Sequence, residues 1–360
     1  LLFNLAELQN VCSKLFKISP DETLSIVQDL YEKKLVTYPR TDARVLSTAV
    51  AKEIYKNISG LRNYPQAGEA AQGALELGAY KNIAKTRYTN DKQITDHYAI
   101  IPTGQGLGAL KGLSLTAQWV YETIVRRFLS IFYPPAVYQK VSLVTKMENE
   151  SFFSSFKVLL SEGYLKIAAN SFAKKSMAEA SGKTPESEGE GEVSCDEALL
   201  AALQKLKKGD ILNINGLGIK EGETSPPKRY NSGSMILAME NAGQLIEDED
   251  LRSQIKGSGI GTSATRAEIL KKLFNIRYLS LNKKTQVITP TLQGEMIYDV
   301  VNCSIRQLLN PELTASWEKG LTYVAEGSIT EQEYMDKLEH FVRIRTKQVE
   351  DSHFQYALRQ

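Results

Sequence analysis

A tyrosine and an arginine two positions apart, Tyr38 and Arg40, are the residues of this chain best suited to covalent chemistry. Pro39 between them locks the backbone at a φ near −65°. If the stretch 34–42 is extended, positions 38 and 40 point to one face. A phenol and a guanidinium on one face can grip the same phosphate, the phenol as nucleophile and the guanidinium as a bidentate clamp. The competing reading is a half-buried strand tyrosine followed by a solvated arginine, and these nine residues alone leave both open. His97 lies inside the apolar run 94–103, which reads as strand-like and ends in a Gly-rich turn. It is either a proton-handling group or a core histidine. A third segment, 257–266, is a glycine-rich loop running into a helix and carries Thr262, Thr265 and Arg266. Exposed amides, threonine hydroxyls and a helix N-terminus suit phosphate contact, and an ordinary threonine-capped connection has the same composition.

Other chemistries find no residues. The 360 residues include 3 histidines and 3 cysteines, with no paired cysteines, HExxH or GxxxxGK[ST]. That leaves no zinc ribbon, disulfide framework or nucleotide-driven motor to read. The acid run 247–250 reads as a solvated face. The apolar stretches are too short to span a bilayer, no signal peptide is visible, and a reducing cytoplasm is expected. Net charge is only +2, but two mildly basic regions, 1–140 and 226–290, flank an acidic one at 171–200. That distribution suits a polyanion held at selected faces.

The elements that must position these residues follow from periodicity. Residues 4–33 read as helix–turn–helix, with Ser19-Pro20-Asp21-Glu22 as a strong helix start. A turn into a helix is expected over 41–57, loops over 58–93, and a helix over 116–132 closed by Pro134-Pro135. Period two over 137–146 and 152–160 predicts antiparallel strands, with 166–169 and 209–220 as further strands. A mobile acidic insert is expected at about 171–198 and a short helix at 199–206. Four helical segments, 232–245, 264–278, 290–308 and 330–350, follow, with a small hairpin of 278–281 and 286–289 between the second and third. Helix–turn–helix and then hairpin is the winged-helix layout, and it occurs twice without visible sequence similarity. The expected fold is α+β and multidomain: a catalytic-tyrosine helical domain at 1–136, a partial β-rich arch at 137–224, a helical DNA-binding domain at 225–350 and a tail at 351–360.

Three segments, in order, carry a family resemblance. "KLVTYPRTDARVLS" at 34–47 resembles the active-site segment of type IA DNA topoisomerases, especially the bacterial topoisomerase III group. "TDHYAIIPT" at 95–103 resembles their conserved-histidine segment, and "SPPKRY" at 225–230 with "GIGTSATRAEIL" at 259–270 resembles their DNA-binding module. The resemblance runs from residue 1 to roughly 345. It implies two winged-helix (CAP-like) domains joined by the arch within a toroidal fold. It implies that Tyr38 attacks single-stranded DNA and becomes linked to the 5′ phosphate, releasing a 3′ hydroxyl. Arg40 would hold the phosphate, and His97 would donate a hydrogen bond or relay a proton. Thr262, Thr265 and Arg266 would contact the incoming strand, with Lys228, Arg229 and Tyr230 nearby. Storing the broken bond as a phosphotyrosine removes any need for ATP. The Mg²⁺ that such enzymes use would be held by an N-terminal acidic Toprim domain, which this chain is expected to lack, so the chain alone would bind single strands but cleave poorly. The resemblance also implies a monomer in the bacterial cytoplasm, at the nucleoid, and no membrane. Ser263 stands where relatives often have Pro, and Tyr98 where they have His or Glu, which puts loop stiffness and DNA contact in doubt, not the nucleophile. The alternatives are a non-catalytic winged-helix DNA-binding module, or a recombinase or relaxase, for which the required Arg/His sets are absent.

Overall fold

A computed structural model describes residues 1–172, 201–246 other than 204, 217 and 220, then 249, 252 and 259–353. Most of the expected acidic insert, residues 247, 248 and 250 of the acid run and residues 354–360 lie outside the described residues, while 201–203 and 205 are helical, within the helix expected at 199–206.

The first two helices, α1 (Leu5–Phe16) and α2 (Pro20–Glu32), are capped as their sequences dictate. Asn4 accepts from the Glu7 amide and Ser19 from the Glu22 amide, each closing an orphan donor of the first turn. Their apolar stripes meet in a core that includes Leu5, Leu8, Val27 and Leu30. The expected helix over 41–57 is two short ones, α3 (Thr48–Glu53) and α4 (Tyr55–Gly60). The expected loop 58–93 contains α5 (Gly68–Leu77), whose only buried side chains are alanines, Ala71 and Ala74. That pattern offers little hydrophobic periodicity to read. Helix α6 (Leu115–Ser130) supplies the largest apolar face, with Val120, Tyr121, Ile124 and Phe128 fully buried.

Beyond it, β1 (Val137–Met147) and β2 (Glu150–Ser161) pair as an antiparallel hairpin, Val141 opposite Phe156. Two expected strands are corrected. Residues 166–169 fall in a helical turn, α7 (Leu165–Ala168), and 209–220 contain no strand among their described residues. In α7, Arg126 of α6 donates to the Ile167 carbonyl, fixing a turn where a strand would need a partner edge.

The last part comprises α8 (Ser232–Glu240), α9 (Arg266–Asn275), the hairpin β3 (Leu279–Leu281) with β4 (Ile288–Pro290), then α10 (Leu292–Ser304), α11 (Pro311–Ala325) and α12 (Glu331–Glu350). Helix α11 was not expected, although Asn310-Pro311-Glu312 is a proper start signal and the Asn310 side chain caps it. Among the described residues no helix is long and apolar enough to cross a membrane.

One joint is built twice. Lys34 follows α2 in the left-handed region at φ 61°, and Arg277 follows α9 at φ 62°. In both places the next amide reaches back five residues, Leu35 to the Leu30 carbonyl (2.9 Å) and Tyr278 to the Leu273 carbonyl (3.0 Å), which is the Schellman closure. A threonine on the opposing strand then latches each joint: Thr103 Oγ1 donates to the Lys34 carbonyl and Thr291 Oγ1 to the Arg277 carbonyl, both at 2.5 Å. The strand entries match as well, Ile100 donating to Phe3 and Ile288 to Tyr230. In this correspondence Asn4 matches Asn231, and each caps the helix that follows.

The two copies face each other through α1 and α8. Ser13 near the end of α1 meets Ser232 at the start of α8 (3.0 Å), and Asn4 at the start of α1 meets Glu240 at the end of α8 (2.6 Å). Start contacts end in both directions, the pattern of a two-fold interface within one chain. A Cβ on Gly233 would lie 2.6 Å from Asn10 Cα, so the helices approach at glycine distance.

Candidate functional site

Tyr38 sits where the first joint delivers it. The strand after Lys34 lasts only to Thr37, whose amide donates to the Ile101 carbonyl (3.0 Å) and whose Oγ1 donates to the Ala99 carbonyl (3.0 Å). Pro39 has no N–H to continue the ladder. The Thr41 amide instead bonds the Pro39 carbonyl (3.0 Å), a tight turn with Arg40 at its apex. This corrects the extended reading of 34–42: the strand ends before a turn that has Arg40 at its apex, so Tyr38 and Arg40 do not share a strand face.

Threonines on both sides of the turn tie it to the histidine segment. Thr37 grips Ala99 and Ile101, and Thr41 Oγ1 donates to the His97 carbonyl at 2.8 Å. The Tyr38 and His97 rings consequently lie 4.4 Å apart between centroids, at 46°. Tyr31 of α2 stands edge-on to Tyr38 at 5.4 Å and 81°. Tyr38 is half-buried and His97 exposed, and both line an open groove of about 410 Å³. Burial raises the phenol pKa of neighbouring Tyr98 above its ordinary value. Arg40 is exposed, lies outside the lining of that groove, and forms no ion pair among the described residues. The structure therefore brings Tyr38 and His97 together and leaves Arg40 at the edge, its guanidinium paired with no carboxylate among the described residues.

The glycine loop packs against the same region. Ile260 donates to the Met239 carbonyl at 2.8 Å, and a Cβ on Gly259, at φ 63°, would meet that same carbonyl oxygen at 2.3 Å. Thr262 and Thr265 are exposed, and the Thr262 amide donates to Thr265 Oγ1 (2.8 Å). Lys228 and Arg229 are exposed.

Arg266 departs from the expectation of a DNA-contacting residue. Its side chain is 1% exposed, and its guanidinium pairs with Asp42 at 2.9 Å and bonds the Ile260 carbonyl at 3.3 Å. An arginine closed in this way is a strut between the loop and the tyrosine turn, not a surface contact. Asp42 stands four residues after Tyr38, and its acceptor role has no signal in local spacing because its partner is 224 positions away.

Glu240 belongs to the same joint and faces Asn4, Glu7, Asp42 and Arg266. Burial is the main cause that raises its pKa above the ordinary carboxylate value, with Arg266 opposing and Asp42 adding to the rise. Ionising Glu240 therefore costs more in the folded chain than in the unfolded one. As pH rises from below the ordinary carboxylate range through the raised value, this group removes stability. Glu240→Gln keeps an oxygen for the Asn4 donor without the charge. We expect it to raise the melting temperature at pH 7 and to flatten the loss of stability between pH 4 and 7, read by thermal unfolding across that range.

Among the described residues no group of three or more His, Cys, Asp or Glu side chains could hold a metal ion. The described residues therefore offer no ligand set for Mg²⁺.

The chain is also similar to known proteins. Residues 1–336 match the family described as DNA topoisomerase. The chain is similar to DNA topoisomerase 3 of Bacillus licheniformis, 33% identical over 98% of this chain and 45% of the relative, and to that of Bacillus subtilis, 32% identical over the same shares. It spans a little under half the length of those curated relatives. The fold is similar to full-length topoisomerase I from Thermotoga maritima, with a TM-score of 0.56 and 21% identity over 96% of this chain and 50% of that one.

Proposed function

This chain belongs to the type IA DNA topoisomerase family, and from that we propose that it carries the strand-breaking tyrosine of an ATP-independent topoisomerase acting on single-stranded DNA. The observation that carries the reading is Tyr38, half-buried in an open groove with its ring 4.4 Å from the His97 ring.

In the proposed reaction the Tyr38 hydroxyl attacks a phosphodiester. The tyrosyl O–P bond forms on the 5′-phosphate side, the P–O3′ bond breaks, and the 3′ oxygen leaves with a proton. One ester replaces another, so the reverse attack by the 3′ hydroxyl restores the strand without an energy source. A free phenol has a pKa of about 10, so attack needs help in losing its proton and in stabilising charge on phosphorus. Arg40, exposed at the turn apex, offers bidentate contact to the phosphate oxygens. His97 offers a hydrogen-bond donor or proton relay at the leaving oxygen. Thr262, Thr265, Lys228 and Arg229 are exposed donors along the entering strand. The two corresponding joints, of which the second carries the hairpin β3–β4, are winged-helix units on this reading, joined by the arm containing β1 and β2 within a toroid. The domain divisions at 136 and 224 belong to this reading.

The chain works, on this proposal, as part of a longer cytoplasmic polypeptide whose acidic Toprim domain holds Mg²⁺ and activates Tyr38, relaxing or decatenating bacterial DNA as a monomer. By itself the chain is expected to bind single strands weakly and to cleave poorly. The test is a single-stranded oligonucleotide labelled at either end, incubated with Mg²⁺ and run on denaturing gels. The longer polypeptide should give an adduct on the 5′-phosphate side and release a free 3′ end. An adduct on the 3′ side would point to a different tyrosine transesterase. Efficient cleavage by the 360-residue chain would overturn the need for a further domain.

A further inference from the structure

The groove beside Tyr38 continues past the reacting side chains onto Tyr31, Lys34, Tyr98 and Gln105. Tyr31 is 39% exposed and keeps a face toward solvent beside the ring it contacts. Lys34 occupies a left-handed position that glycine fills at little steric cost and that a lysine holds against its own Cβ. Its ammonium forms no ion pair among the described residues, whereas the adjacent Lys33 is paired with Asp29.

The second copy of the joint provides the contrast. The cavity beside its hairpin, about 560 Å³, is also walled by tyrosines, Tyr278 and Tyr298, but Glu295 and Asp299 line it too. Those carboxylates repel a phosphate. The Tyr38 groove has no carboxylate in its lining, and Lys34 is the lining residue with a permanent positive charge. The same architecture thus gives one aromatic cavity suited to a polyanion and one that is not.

We propose that Tyr31 and Lys34 form a nucleotide subsite flanking the scissile phosphate, Tyr31 stacking on a base and Lys34 holding the adjoining backbone phosphate. The proposal rests on the reading of Tyr38 as acting on single-stranded DNA. Stacking on an aromatic face tolerates any base, so the subsite positions the strand without selecting sequence.

The experiment uses this chain and a fluorescein-labelled single-stranded oligonucleotide, with anisotropy read over a range of salt concentrations. Lys34→Gly suits the left-handed backbone, so its melting temperature should stay equal or rise. It should bind severalfold more weakly, with the slope of log K against log salt reduced by about 0.7, one phosphate contact on a single strand. Tyr31→Leu should weaken binding at least about fivefold, and Tyr31→Phe should restore it. If both Lys34→Gly and Tyr31→Leu bind like the parent chain, the subsite is wrong while the single-strand reading stands. A folded parent chain with no affinity for the oligonucleotide would sink the single-strand reading and the subsite with it.

Discussion

Tyr38→Phe in the longer polypeptide should abolish covalent adduct formation, a loss of at least ~10⁴-fold, because no other group replaces the atom that bonds to phosphorus. The fold should barely register the change. The Tyr38 hydroxyl has no hydrogen-bond partner among the described residues, and its ring contacts with His97 and Tyr31 survive in phenylalanine. Unfolding free energy should therefore stay within about 0.5 kcal/mol of the parent. Single-strand binding should also persist, which separates lost chemistry from lost substrate. The two measurements are a denaturing-gel assay for adduct and a urea titration. Adduct from the phenylalanine variant would refute the assignment of the nucleophile.

Arg266→Met should be the most damaging change outside the groove. It removes a guanidinium that is 1% exposed and leaves the Asp42 carboxylate facing Glu240 without a counter-charge. Breaking a buried pair from one side costs about 3–5 kcal/mol. With Asp42 32% exposed, water recovers part of that, and about 2–4 kcal/mol is expected. Adding Asp42→Asn should return a measurable share, because neighbours in one network couple by about 0.5–3 kcal/mol. A double-mutant cycle in urea tests this. Additive effects would mean that the pair is not a strut. The same variant should cleave less even with Tyr38 intact, because Asp42 anchors the turn on which Tyr38 stands.

Local patterns carried much of this into the sequence. The spacing of Tyr38 and Arg40 exposed the candidate chemistry, and the cap Ser19, the stripe of α6 and the alternation of β1 and β2 exposed the elements around it. What stayed hidden was non-local or weakly patterned. Nothing near Arg266 says that it is buried, since Asp42 reaches it only through the fold. Helix α5 buries alanines and so shows no large apolar stripe. The turn at Arg40 arises because the Thr41 amide bonds back to Pro39 while its hydroxyl holds His97, and the second of these partners is 56 positions away, where spacing cannot reveal it. The correspondence of the two joints rests on the left-handed backbone of Lys34 and Arg277 and on the threonine hydroxyls that bond their carbonyls, Thr103 at 69 positions and Thr291 at 14, separations that no shared spacing reveals.

The α1–α8 contact joins surfaces more than 200 residues apart in sequence, yet both belong to one covalent chain. Should these surfaces separate, neither is lost to bulk solution, because the intervening arm acts as a leash. Reunion then proceeds at a local concentration set by the length of that leash, independent of how dilute the protein is. A contact maintained in this manner can be individually feeble and still re-form promptly, and small polar groups such as Ser13 and Ser232 are adequate material for it.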